Sequence, residues 1–159
     1  MKVTRKKRIT MAVTFVLVAG LVFWALVALK PPTVQEANAK QLKEAIQNCE
    51  TGDVRLSALT TFEWDEVYTF APYASEDAML ATLGIQWNGL HETVNEGMNQ
   101  AVFVKNGEVV CYVYGYGKKC GYTLDFGNFT GNSLKLSRNA DPVFHLEAGK
   151  QPKLTYLGE

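Results

Sequence analysis

Gln100-Ala101-Val102-Phe103-Val104-Lys105-Asn106-Gly107-Glu108-Val109-Val110-Cys111-Tyr112-Val113-Tyr114-Gly115-Tyr116 decides the fold of this chain. Asn-Gly readily takes the positive backbone angles of a type I′ turn, and both flanks are rich in residues that fit a pleated, half-buried surface. The stretch predicts a β-hairpin with strands at Gln100–Lys105 and Glu108–Tyr116. A two-residue turn then sets Lys105 opposite Glu108, Val104 opposite Val109 and Val102 opposite Cys111. One face carries Val102, Val104, Val109, Cys111 and Val113, and the other Phe103, Val110, Tyr112, Tyr114 and Tyr116. Tyrosine buries area at little entropy cost and keeps a polar hydroxyl, which suits protein interfaces. Phe103, Tyr112, Tyr114 and Tyr116 are therefore the candidate partner-binding residues; the competing reading is a second core face under a helix or loop.

Upstream of the hairpin, Phe62 to Phe70 reads as a strand with Phe62, Trp64, Tyr68 and Phe70 on one face and Glu63, Asp65, Val67 and Thr69 on the other. Pro72 ends it. Val54 to Leu59 reads as a shorter strand. Ser75 caps a helix with Glu76 and Asp77 in its first turn, Met79, Leu80 and Leu83 on its apolar side, and Gly84 at its left-handed end. Ile85 to Trp87 can begin another strand, and His91 to Asn99 reads as a loop or a poorly formed helix. Further back, Thr33 with Glu36 forms a capping-box pattern that opens a helix ending near Asn48. After the hairpin, strands are expected at Tyr122–Phe126, Ser133–Ser137, Val143–Glu147 and Lys153–Leu157. Strands outnumber helices and no βαβ repeat is present. The expected fold is α+β, a mainly antiparallel sheet with two or three helices packed on one face.

The segment Phe62-Glu63-Trp64-Asp65-Glu66-Val67-Tyr68-Thr69-Phe70-Ala71-Pro72-Tyr73 resembles a pattern in small, uncharacterised exported or signal-anchored bacterial proteins, and the likeness extends over roughly residues 54–126. It implies a shared fold, with Trp64, Asp65, Tyr68, Pro72 and Tyr73 as its structural motif. It carries no catalytic residues.

The N-terminus determines where such a domain would sit. Ile9 to Leu29 is a run of 21 residues without a charge, about 31 Å as a helix and long enough to span a bilayer. Lys2, Arg5, Lys6, Lys7 and Arg8 precede it and only Lys30 follows, which places the N-terminus in the cytoplasm by the positive-inside rule. The expected organisation is a cytoplasmic basic tail at 1–8, a membrane helix at 9–29, a linker and juxtamembrane helix at 30–52, and an extracytoplasmic domain at 53–159. The alternative is secretion after cleavage following Ala39, since Ala37-Asn38-Ala39 has the small-x-small pattern. Signal-peptide cores run ~7–15 residues, so this longer run favours the uncleaved anchor.

From Pro31 onward there are ten Lys or Arg and sixteen Asp or Glu, a net charge of −6. Such a domain repels a phosphate backbone, and no basic stripe interleaved with aromatics is present, so nucleic acid is not an expected partner. Cys49, Cys111 and Cys120 are an odd set in a compartment where disulfides persist. A turn at Gly117-Lys118-Lys119 sets Cys111 nearer Asp125 than Cys120, which makes Cys49–Cys120 the preferred bridge and Cys111 a buried thiol. His91 and His145 have no ligand at metal spacing, and neither a metal nor a cofactor is expected. No nucleophile motif surrounds Ser57, Ser75, Ser133 or Ser137.

These observations point to a non-enzymatic, membrane-anchored binding or accessory protein of the bacterial envelope, with another envelope protein as partner. One alternative is an envelope hydrolase using Asp65 or Glu66, which needs a concave pocket and a carboxylate with a raised pKa. A second is an accessory subunit acting through its transmembrane helix.

Overall fold

The computed structural model describes residues 14–20, 23–24 and 31–158, and the chain divides into two units, Met1–Pro32 and Thr33–Glu159. In the first unit residues 14–20 and 23–24 are helical, with Phe15, Leu17, Phe23 and Trp24 exposed. Among the described residues no helix is long and apolar enough to cross a membrane. The basic tail at 1–8 and, within Ile9–Leu29, residues 9–13, 21–22 and 25–29 lie outside the described residues.

The second unit is α+β. Its first helix, α1 (Val34–Asn48), begins at the expected capping box: the Glu36 amide donates to the Thr33 hydroxyl at 3.2 Å, and the Thr33 amide donates to the Glu36 carboxylate at 2.8 Å. Each bond satisfies a helix-end donor that has no partner within the helix. Leu42 and Ile46, one turn apart, form its buried stripe. The segment Val54 to Leu59 is not one strand, because β1 (Gly52–Arg55) gives way to a single helical turn, α2 (Leu56–Leu59). A short apolar run fits either state, and the turn places Leu56 and Leu59 together in the core.

The next strand, β2 (Glu66–Phe70), starts later than expected because the backbone bends at Asp65. The bend breaks the alternation. Phe62, Trp64 and Val67 enter one core cluster while Tyr68 and Phe70 enter another, so the expected single aromatic face is split. Ser75 caps α3 (Glu76–Leu83), and Gly84 closes it in the left-handed region at φ 67°. Ile85–Trp87 forms no strand. The hairpin follows as β3 (Met98–Lys105) and β4 (Glu108–Tyr116), then a helical turn α4 (Gly117–Cys120), β5 (Thr123–Asp125), β6 (Ser133–Ser137), β7 (Val143–Glu147) and β8 (Lys153–Tyr156).

These strands form two four-stranded sheets rather than one, in the orders β1-β7-β8-β5 and β4-β3-β2-β6. All neighbours are antiparallel except β5 and β8. The larger core cluster joins Phe144, Leu146 and Leu154 of the first sheet to Phe103, Cys111 and Val113 of the second, with Leu42 and Ile46 of α1. The smaller cluster sets Met79 and Leu83 of α3 against Val102, Val104 and Val109. Helices thus cover both faces of the second sheet, not one. That is why β2 and β3 are buried along almost their whole length.

The hairpin turn is as expected, with Asn106 at φ 50° and Gly107 at φ 77°. Its register is not. Lys105 faces Glu108 and Val104 faces Val109, but a bulge then sets Phe103 opposite Cys111 and Val102 opposite Tyr112. The extra residue is Val110, whose side chain joins Cys111 in the larger cluster. An inserted residue reverses which side every later side chain faces. Tyr112 therefore lies on the face of Val102, Val104 and Val109, and Phe103 lies on the face of Cys111 and Val113.

Candidate binding groove at the edge of β4

The bulge decides where the aromatic residues of the hairpin go. Phe103 is 1% exposed and meets Phe62 and Trp64 edge-on, each with ring centres 5.5 Å apart. It belongs to the core and offers nothing to a partner. Trp64 is fully buried, and its indole N–H donates to the Thr60 hydroxyl at 2.8 Å.

The tyrosines sit beneath the segment between α3 and β3. The Tyr112 ring stands edge-on to Trp87 at 5.2 Å, and its hydroxyl accepts from the His91 amide at 3.1 Å. The Tyr114 hydroxyl donates to the Glu92 carbonyl at 2.8 Å, and the Tyr116 hydroxyl accepts from the Asn95 amide group at 2.5 Å. The three hydroxyls thus fasten successive points of residues 91–95. Burial pushes the Tyr112 hydroxyl up to about 12, so it remains protonated and able to donate. Gln100 reinforces the same segment, donating to the His91 carbonyl at 3.0 Å.

Asp65 and Glu66 line a shallow groove of about 660 Å³ with Lys105 and Arg138. Every carboxylate there has a cation. Asp65 accepts from Lys105 Nζ at 2.7 Å and the Asn106 amide at 2.9 Å, Glu66 from Lys135 Nζ at 2.9 Å and the Tyr68 hydroxyl at 2.5 Å, and Glu63 faces Arg138 at 3.6 Å. The Asn106 and Lys105 hydrogen bonds hold Asp65 below the ordinary carboxylate range, and those from Lys135 and Tyr68 do the same for Glu66. A general acid needs the opposite shift. Tyr73, at the end of this motif, is 65% exposed in the left-handed region at φ 67°, its amide donating to the Thr93 carbonyl at 2.9 Å. Pro72 lines two neighbouring hollows.

All three cysteines are free thiols, so the expected Cys49–Cys120 bridge is not formed. The geometry behind that expectation also changes, because β4 ends in the α4 turn and β5 pairs with β8 in the other sheet. The Cys120 thiol lies against the Tyr114 carbonyl at 3.6 Å. Among the described residues no group of His, Cys, Asp and Glu could hold a metal ion.

The residues the sequence did not single out are lysines. Six of the ten basic residues in Thr33–Glu159 lie within 4 Å of a carboxylate: Lys40, Arg55, Lys105, Lys135, Arg138 and Lys153. Lys43, Lys118, Lys119 and Lys150 have no such partner among the described residues. Two of these four, Lys43 and Lys119, line a single groove of about 310 Å³ between α1, β4 and α4, together with Lys40. Lys118 adjoins Lys119 on α4. Lys40 meets Glu44 only at 3.8 Å between exposed side chains, a pairing worth about 0.3–0.5 kcal/mol.

Tyr112, Val113 and Tyr114 form the strand wall of this groove, with Tyr122 and Cys120 beside them. Tyr122 is 2% exposed. Gly121, at φ 85°, lets the Lys43 stem lie against the turn; a side chain there would meet Lys43 Cε at 2.8 Å. No family model, curated protein or solved structure matches the chain, so nothing from a relative adds to this geometry. What the groove offers is positive charge, that of Lys43 and Lys119 with no carboxylate within 4 Å among the described residues, and tyrosine walls, in a domain whose net charge is negative. That is an arrangement suited to holding an anionic group.

Proposed function

We propose that this protein is a membrane-anchored, extracytoplasmic binding module of the bacterial envelope, which engages another envelope protein through the groove between α1, β4 and α4. Ile9–Leu29 is its anchor in this reading, with the basic tail in the cytoplasm. The observation that carries the reading is the gathering of Lys40, Lys43 and Lys119 on one tyrosine-walled groove in a domain of net charge −6. Basic residues solvated at random over an acidic surface would find carboxylates, as six of the ten do; Lys43 and Lys119 do not among the described residues, and Lys40 beside them meets Glu44 only at 3.8 Å. The contact moves accordingly from an open tyrosine face to the groove, where Tyr112 and Tyr114 serve as walls while their hydroxyls hold residues 91–92.

Recovery of envelope proteins on the full-length chain tests this reading. Lys43→Glu with Lys119→Glu is expected to abolish recovery of the specific partner, while Lys150→Glu, an exposed and equally unpaired lysine elsewhere, leaves it intact. Recovery that is indifferent to the groove reversal but lost when Ile9–Leu29 is exchanged for an unrelated span would assign the contact to the membrane segment instead.

A further inference from the structure

We propose that the open edge of β4 at Tyr112–Tyr114 receives a short, extended, acidic segment of the partner protein as an added strand, its carboxylates facing Lys40, Lys43 and Lys119. This rests on the groove being the binding site, and names what it binds.

The backbone supplies the first part of the argument. β4 has a neighbour on one side only, so one row of its N–H and C=O groups points outward. The Val110 carbonyl, in that row, accepts from the Asn38 side-chain amide at 2.8 Å, and the Tyr114 carbonyl takes the Cys120 thiol at 3.6 Å. Strand alternation places the N–H and C=O of Tyr112 between them on the same outward side. Among the described residues no bond from outside the ladder engages either. Helix α1 therefore closes the edge at Val109 and Val110, the Cys120 thiol of α4 meets it at Tyr114 and Gly115, and the stretch between them at Tyr112 opens to the groove.

Size and charge then select the occupant. Tyr112 to Tyr114 spans about 7 Å at ~3.4 Å per residue, enough for two or three residues of an added strand. Such a strand gains main-chain hydrogen bonds to Tyr112 and sends alternate side chains toward α1 and α4, where the lysines lie. Acidic side chains at those positions meet the ammonium groups of Lys43 and Lys119, which have no carboxylate within 4 Å among the described residues, and of Lys40, held only by exposed Glu44, whereas neutral or basic ones leave the lysines as they were or repel them. A long polyanion such as a nucleic acid would meet the same lysines but also the surrounding negative domain, which disfavours it over a short segment carrying two or three carboxylates.

Fluorescence anisotropy with labelled peptides tests the proposal on the full-length chain in neutral detergent. The probe is an acetylated, amidated Val-Glu-Val-Glu-Val peptide, compared with its Gln counterpart and with a version N-methylated at the central valine. The Glu peptide is expected to bind at least tenfold tighter than the Gln peptide. That binding should weaken at least tenfold on Lys43→Glu with Lys119→Glu, and less with the corresponding Gln substitutions, while Lys150→Glu changes nothing. N-methylation, which blocks a strand hydrogen bond but keeps the charge, should abolish it. Equal binding of the Glu and Gln peptides, full binding of the N-methylated peptide, or no binding at millimolar concentration each overturns the inference. If partner recovery responds to the lysine reversal while the acidic peptide does not bind, the groove stands and its occupant is not an acidic strand. If neither responds, both readings fall.

Discussion

Deleting Val110 should be tolerated, although it removes an apolar residue from the middle of a strand. Val110 is the extra residue of the bulge, so its removal leaves Val109 opposite Val104 and Cys111 opposite Phe103 without changing the face of any later side chain. The losses are local. Val110 is partly buried against the larger cluster, and half of a full valine burial is worth about 1 kcal/mol. Asn38 loses its carbonyl acceptor, worth about 1 kcal/mol more. The total, about 2 kcal/mol, lies within the ~5–15 kcal/mol that holds a domain of this size together. Deleting Val113 has the opposite consequence. It turns Tyr114 toward fully buried Ala101 and pulls its hydroxyl away from Glu92, so β4 cannot dock beyond the deletion. Urea unfolding followed by tryptophan fluorescence compares the two variants. A cooperative transition with a modestly lowered midpoint is expected for the Val110 deletion, and a lost or broadened transition for the Val113 deletion. Equal damage from both would refute the assigned bulge.

Four further outcomes follow from the same contacts. Trp64→Ala should cost about 3–5 kcal/mol in urea unfolding, and Trp64→Phe, which keeps most of the packing but loses the bond to Thr60, roughly 1–2 kcal/mol. Tyr112→Phe should raise the amide exchange rates of residues 85–95 several-fold without shifting the global midpoint by more than about 1 kcal/mol, since it frees the His91 amide while the His91 carbonyl, which also accepts from Tyr112 at 3.3 Å, keeps its bond from Gln100. Asp65, Glu66 and Asp125 are all held below the ordinary carboxylate range, Asp125 by Lys153 and the Gly127 amide. The stability they contribute is therefore complete above about pH 5 and is lost as pH falls below about 4. Replacing all three by Asn or Gln should flatten that acid limb. Finally, burial pushes the Cys111 thiol up to about 12, so a thiol reagent at pH 8 should reach half-buried Cys120 and Cys49 well before Cys111, which reacts only on unfolding.

The parts of this fold that were legible in the sequence are those set by local chemistry. Asn106-Gly107 fixed the turn because few residue pairs take two positive φ angles in succession, and Thr33 with Glu36 marked a helix start because both side chains answer an adjacent backbone donor. Ser75 and Gly84 bracketed α3 in the same way. Long-range pairing was not legible. β1 meets β7 through Gly52–Leu146 and Arg55–Val143, and no local pattern announces such a partner. The bulge was hidden too, since two adjacent valines look the same whether one is extra or both are paired. Missing it exchanged the faces of Phe103 and Tyr112 and with them the expected contact surface. The groove was harder still. Lys40 and Lys43 lie more than seventy residues from Lys119, and each looks like an ordinary solvated charge until the carboxylates of the fold are matched to the other cations. Lys118-Lys119 carried the only signal, an adjacent basic pair with no acidic residue within four positions.

Site-specific photocrosslinking in the membrane tests the central claim most directly. A benzophenone amino acid placed at Lys43, and separately at Lys150, reports which part of the domain touches a partner. The groove reading predicts a discrete adduct from position 43 that disappears with Lys119→Glu, and none from position 150. An adduct from position 150 alone, or one from position 43 that survives the Lys119 reversal unchanged, would contradict it.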